Sequence, residues 1–247
     1  MYDSIIDLNI RNNETNQKFD VVFFGDSITE DWTGSRFGEP DERHAETKTV
    51  FESLFTLSGN ASYDGVAFGI AGDTSPNLLW RLQNGEMPSH IDSSTEDEEE
   101  TVHELKSKVW WLLIGTNDFK HKCSTKSVEK GISTVLDEIM KRMEPEDIVV
   151  VNSLLPRGDL ENSSDQELWG KIQKVNKALF GICEKHRTKG YNVEFFNQND
   201  LFFEGGKYKK GALINSTLMP DLLHPSALGH KIWGEKIAST LKILINT

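Results

Sequence analysis

The sequence predicts an α/β fold: one three-layer sandwich, with a five-stranded parallel sheet and helices on both of its faces. Three observations predict it. Apolar runs of strand length each end in a glycine or small polar turn. Between them, apolar residues recur at the three- and four-residue spacing of helices. The strand-then-helix order repeats without a break, as right-handed crossovers between parallel strands require. One domain over residues 1–247 follows.

The first strand is Phe19-Asp20-Val21-Val22-Phe23-Phe24, running into Gly25-Asp26-Ser27. Its near-continuous apolar character is that of a strand buried on both faces. A polar loop is expected from Glu30 to Thr47. Val50, Phe51, Leu54, Phe55 and Leu57 then form a short amphipathic piece. Ser62 to Gly69 reads as the second strand and ends in Gly69-Ile70-Ala71-Gly72-Asp73-Thr74. Pro76 opens a helix to Leu82, capped by Thr74 or Ser75. Gln83 to Lys108 holds Gly85, Pro88 and the acidic run Glu96 to Glu100. It reads as a solvated connection, with an acidic loop over about 86–107.

Val109 to Ile114 is the third strand, ending in Gly115-Thr116-Asn117-Asp118. Val128, Ile132, Val135, Leu136, Ile139, Met140 and Met143 mark a helix that Pro145 stops. Ile148 to Val151 is the fourth strand and runs into Ser153-Leu154-Leu155-Pro156-Arg157-Gly158. Leu168, Ile172, Val175, Leu179 and Ile182 mark a second long helix, and Tyr191 to Phe196 is the fifth strand. After a long connection comes Asp221-Leu222-Leu223-His224-Pro225, then a last helix carrying Leu228, Ile232, Ile237, Leu241 and Leu244. Trp80, Trp110 and Trp111 are expected in the core.

The charge balance narrows the partners. A net charge of -12 disfavours nucleic acid and anionic membrane surfaces. No apolar run reaches transmembrane length and Met1 to Lys18 lacks the pattern of a signal peptide, so no stable membrane insertion and a cytoplasmic location are expected. The two cysteines, Cys123 and Cys183, form no disulfide framework, and their pairing is left open. Seven histidines include neither His-x-His nor His-Glu-x-x-His, so no metal or other cofactor is expected. Neither phosphate-cradling glycine motif occurs, which sets a nucleotide-binding domain aside.

Parallel strands gather their carboxyl ends on one edge, where α/β folds place their chemistry. Gly-Asp-Ser, Gly-Ile-Ala-Gly-Asp and Gly-Thr-Asn-Asp therefore meet there, and the Asp221–His224 loop can return to it. Each is an ordinary turn on its own; together they form a constellation. A serine hydroxyl needs a base, and His224 supplies a residue type that titrates near neutrality. Asp221, three residues earlier, can fix the imidazole. The Ser27 and Gly72 N–H groups and the Asn117 amide can serve a developing oxyanion.

These blocks resemble the GDSL/SGNH hydrolase family across essentially the whole chain. The resemblance implies Ser27, Asp221 and His224 as catalytic residues and Ser27, Gly72 and Asn117 as the oxyanion hole, on a flavodoxin-like sheet. Gly72 is preferred to Gly69 because the family's donor glycine directly precedes the Asp of the second block. The stretches Gly69–Thr74, Leu79–Glu86, Leu154–Gly158 and Asp221–His224 are similar to the catalytic subunits of intracellular platelet-activating-factor acetylhydrolases, type IB. That implies hydrolysis of short, acetyl-like esters without a metal, with Ile28 and Leu223 lining the acyl pocket. The Glu30–Thr47 and Gln83–Lys108 connections look longer than in those subunits. Carbohydrate O-acetylesterase, lysophospholipase and thioesterase activities, a non-catalytic interaction subunit, and a homodimer all stay open.

Overall fold

The computed structural model describes residues 19–87, 107–160 and 165–245. The acidic run lies outside them. Among the described residues seven strands run β1 (Val21–Gly25), β2 (Ser35–Arg36), β3 (Glu39–Pro40), β4 (Gly65–Gly69), β5 (Val109–Leu113), β6 (Ile148–Asn152) and β7 (Val193–Phe196). Seven α-helices of the described residues run α1 (Ser27–Glu30), α2 (Ala45–Phe55), α3 (Ser75–Arg81), α4 (Thr116–Lys120), α5 (Thr125–Arg142), α6 (Asp165–Arg187) and α7 (Ala227–Ile245).

Five strands form one parallel sheet in the order β4-β1-β5-β6-β7, as expected. The chain moves from β1 out to the edge at β4, then returns to the far side of β1 as β5. The loop after β1 therefore opens at the point where the strand order reverses, the usual crevice of such sheets. Helices α2 and α7 pack together on one face, while α3, α5 and α6 pack together on the other.

The strands form where they do because their side chains are buried on both faces. Val21 to Phe24 and Val109 to Leu113 are buried throughout. Phe23 sits among Phe51, Phe55 and Trp111, and Phe24 stacks on Trp110. Each such ring contributes about 1.5–3 kcal/mol through burial. Under the first loop, Trp32 stacks on Trp233 and meets His230 edge-on. Helix α5 is capped by Ser124, whose Oγ accepts from Ser127 N–H, and ends on Lys141 and Arg142, which suit the negative end of its dipole.

Two expectations are corrected. Glu30 to Thr47 is not an open loop: α1, a 3-10 turn at Asp31–Thr33, the β2–β3 hairpin and a second turn at Glu42–His44 fill most of it. Buried Glu30 orders this region, accepting from Gly38 N–H at 2.7 Å and Ser35 Oγ at 3.3 Å. Trp110 and Trp111 are in the core, but Trp80 is 47% exposed. It stands on the outer side of α3, away from Ser75, Leu78 and Arg81, which are the residues the helix buries. Cys123 is exposed, Cys183 is buried, and both are free.

Candidate active site

Gly25 ends β1 because nothing larger fits. A Cβ there would stand 2.5 Å from Leu113 O and 2.1 Å from Thr29 Oγ1. The chain turns at once into α1, capped by the Asp26 carboxylate, whose Oδ1 accepts from Ile28 N–H at 3.1 Å. Ser27 is thus the first residue of a short helix at the mouth of the crevice, with its Oγ 2.9 Å from His224 Nε2. The pair is 197 residues apart in sequence.

The Asp221–His224 turn presents the imidazole. Asp221 Oδ2 lies 2.6 Å from His224 Nδ1, and its Oδ1 accepts from the backbone N–H groups of Leu223 and His224 at 3.0 and 2.7 Å. With Nδ1–H donating to Asp221, Nε2 is the acceptor that faces Ser27. Burial raises the Asp221 carboxyl, but the hydrogen bonds from His224 and Leu223 outweigh it and hold the group well below the usual carboxylate range. Leu222 sits in left-handed backbone, φ 60°, and its carbonyl accepts from Gly158 N–H at 2.8 Å. The turn is therefore strained and braced from outside.

Gly72 has φ 87°, with open space where a Cβ would stand. Its N–H and that of Ser27 have no partner among the described residues. Asn117 is buried at the start of α4 and donates from Nδ2 to Asp73 O at 2.9 Å, tying the end of β5 to the Gly72 turn. One N–H of that amide is left for another acceptor. Ile28 is buried in the core, whereas Leu223 is partly exposed. Among the described residues, no group of three or more His, Cys, Asp or Glu side chains could hold a metal ion.

Several residues that position this site were not expected from sequence. Glu30 Oε2 accepts from Ala71 N–H at 2.7 Å, fixing the Gly72 turn to α1. Arg81 binds Gly25 O, Asp73 and Glu86, a buried ionic cluster beneath the crevice. Arg157, fully buried, donates to Thr116 O and pairs with Asp159. The Leu79–Glu86 and Leu154–Gly158 stretches had carried a subfamily resemblance, so Arg81, Glu86 and Arg157 were in view without a role. Glu30 had no local signal. Arg36, on the hairpin, places Nη1 and Nη2 each 3.4 Å from His224 Nε2, and Nη1 also 3.3 Å from Asp31.

Charge at the site is unusual in one respect. Burial lifts the carboxyls of Asp26 and Asp31 to about 7, against the opposing pull of His224 on both, the Ile28 N–H on Asp26 and Arg36 on Asp31.

Comparison with known proteins agrees with this fold. The chain is 28% identical over 211 residues to the platelet-activating factor acetylhydrolase IB subunit alpha2 of Homo sapiens, covering 85% of this chain and 71% of that protein. It is 29% identical over 211 residues to the alpha1 subunit of Rattus norvegicus, covering 85% and 70%. The fold is that of Est24, a carbohydrate acetylesterase from Sinorhizobium meliloti (TM-score 0.59, 16% identity, 92% of this chain and 100% of that one). It is also that of a GDSL-like lipase from Bacteroides thetaiotaomicron (TM-score 0.58, 19% identity, 95% and 97%). The GDSL-like Lipase/Acylhydrolase family profile matches residues 23–232, which take in the end of β1, the other four strands of the main sheet and both Ser27 and His224. The chain belongs to that family and is a carboxylic ester hydrolase.

Proposed function

We propose that the chain hydrolyses short, acetyl-like esters through an acyl-enzyme on Ser27. The observation that carries this reading is the continuous line of contacts from Ser27 Oγ to His224 Nε2 and from His224 Nδ1 to Asp221. In the first half-reaction, His224 takes the hydroxyl proton as Oγ attacks the ester carbonyl. It then returns that proton to the departing alcohol. Asp221 keeps Nε2 in its acceptor form and stabilises the imidazolium. In the second half-reaction a water replaces the alcohol, is deprotonated by the same nitrogen, and releases the acid.

The free N–H groups of Ser27 and Gly72 and the spare N–H of Asn117 serve the tetrahedral oxyanion. Each such donor typically contributes about 3 kcal/mol at the transition state. Leu223, partly exposed beside His224, borders the acyl side and its bulk suits a short chain, whereas the Ile28 side chain is buried in the core and supports that side from beneath. No step calls for a metal or an organic cofactor. The reading extends to one catalytic domain acting on a small acyl ester. Among the described residues, no helix is long and apolar enough to cross a membrane.

The test is Ser27→Ala with p-nitrophenyl acetate as substrate. We expect kcat to fall by about 10³-fold or more, with the thermal unfolding midpoint little changed. Undiminished turnover in that variant would remove Ser27 from the reaction. A fluorophosphonate probe should label Ser27 in the parent protein and leave the variant unlabelled.

A further inference from the structure

We infer that Arg36 selects esters that carry an anionic group, a carboxylate or a phosphate, on the alcohol side of the scissile bond. The inference rests on the proposed Ser27–His224 reading and adds a substrate class to it.

The geometry points this way in three steps. First, Arg36 stands beside the reacting groups. Both of its terminal nitrogens are 3.4 Å from the Nε2 atom that Ser27 Oγ approaches at 2.9 Å. Second, its donors are under-used. A guanidinium has five N–H groups, and among the described residues its one carboxylate partner is Asp31, at 3.3 Å from Nη1 alone. Asp31 Oδ1 is shared with His44 Nδ1 at 3.4 Å. Among the described residues Nη2 has no carboxylate partner, and it crowds a ring nitrogen whose single lone pair already faces Ser27. An anion on the substrate can take both terminal N–H groups in the forked geometry that guanidinium favours, leaving Nε2 to the serine.

Third, the cation is held in place rather than waving in solvent. Residues Arg36 to Glu39 form a tight turn, with Phe37 at φ 53° and Gly38 at φ 80°. A bulky residue in left-handed backbone is strained, and the Glu30 carboxylate holds the turn through Gly38 N–H. Glu30 is on α1 with Ser27, so hairpin and nucleophile form one unit. Phe37, 55% exposed, lies under the Arg36 guanidinium at 5.8 Å and offers an apolar surface next to the charge. A chain of net charge -12 repels anions at long range, so a cation fixed at the crevice counts for selectivity.

The experiment compares kcat/KM for phenyl acetate, 4-acetoxybenzoate and 4-acetoxyphenyl phosphate in the parent protein, Arg36→Gln, Arg36→Lys and Arg43→Gln. Arg43 is a control of equal charge change, since its guanidinium binds Asp41 at the surface. We expect Arg36→Gln to lower the ratio of anionic to neutral kcat/KM by about 10- to 100-fold, mainly through KM. Arg36→Lys should restore part of it, and Arg43→Gln should leave the ratio in place. A larger effect on one arm identifies carboxylate or phosphate as the group recognised. An unchanged ratio in Arg36→Gln, or an equal change in Arg43→Gln, overturns the inference. Calorimetric titration of Ser27→Ala with 4-acetoxybenzoate reads binding without turnover, and Arg36→Gln in that background should weaken it by the same factor; equal binding also overturns the inference. If the parent hydrolyses phenyl acetate and is labelled by the fluorophosphonate while the ratio stays flat, only the Arg36 assignment fails. If it is not labelled at all, the Ser27 reading fails with it.

Discussion

His224 joins three side chains of the site: Asp221 on one nitrogen, Ser27 and Arg36 on the other. Asn117 is the comparable residue on the oxyanion side, because one amide both joins two loops and offers a free donor. Asn117→Ala should therefore lower kcat for p-nitrophenyl acetate by about 10²–10³-fold. It should also cost about 1 kcal/mol of stability, the worth of the bond to Asp73 O. A steady-state assay and a urea titration separate the two. Gly72 and Gly69 can likewise be told apart. Gly72→Ala meets open space and suffers only its left-handed backbone, about 1 kcal/mol. Gly69→Ala drives a Cβ to 2.2 Å from Glu30 N and 2.5 Å from Asp26 O, which should cost about 3 kcal/mol. Equal losses in urea titrations would refute that assignment.

Among the elements, the parallel strands were the easiest to read. Val21–Phe24 and Val109–Leu113 are buried on both faces, so their apolar runs are unbroken by polar positions. The turns that follow were readable for the opposite reason, since small polar residues stand where strands should continue. Charged residues whose partners lie far along the chain could not be read. Glu30 meets Ala71, Arg157 meets Thr116, and Arg36 meets His224, at separations of 41, 41 and 188 residues. Local sequence marks such residues as surface, while the fold buries Glu30 and Arg157. Trp80 shows the converse error, an aromatic placed outside because its helix turns Leu78 and Arg81 inward. Arg157 also makes a test of the element that carries it. Arg157→Met should destabilise by about 3 kcal/mol, since Thr116 O loses its donor and Asp159 its partner. It should also slow turnover, because Thr116 precedes Asn117. A variant with full activity and an unshifted midpoint would show the brace to be idle.

At the scale of the molecule, buried acids set the response to pH. The folded carboxyls of Asp26 and Asp31 titrate near 7, above their unfolded values, and burial also raises Asp73 and Glu86. A raised acid binds its proton more tightly in the folded state, so its contribution to stability fades as pH climbs from about 4 to 7. Buried His230, lowered to about 4, and His44, lowered by its burial, work against this in the same window. Four raised acids outweigh them, and the midpoint should be higher at pH 5 than at pH 8. Asp26→Asn should raise stability at pH 8, by at most ~4 kcal/mol, with a smaller gain at pH 5, as differential scanning calorimetry can show. A larger gain at pH 5 would contradict the burial argument. The contact between Ser27 and His224 joins the first described strand to the loop before the final helix. A nascent chain still on the ribosome therefore holds its hydroxyl without its base. On the proposed reading, hydrolytic competence arrives only once the Asp221–His224 turn has been made and has docked beside α1.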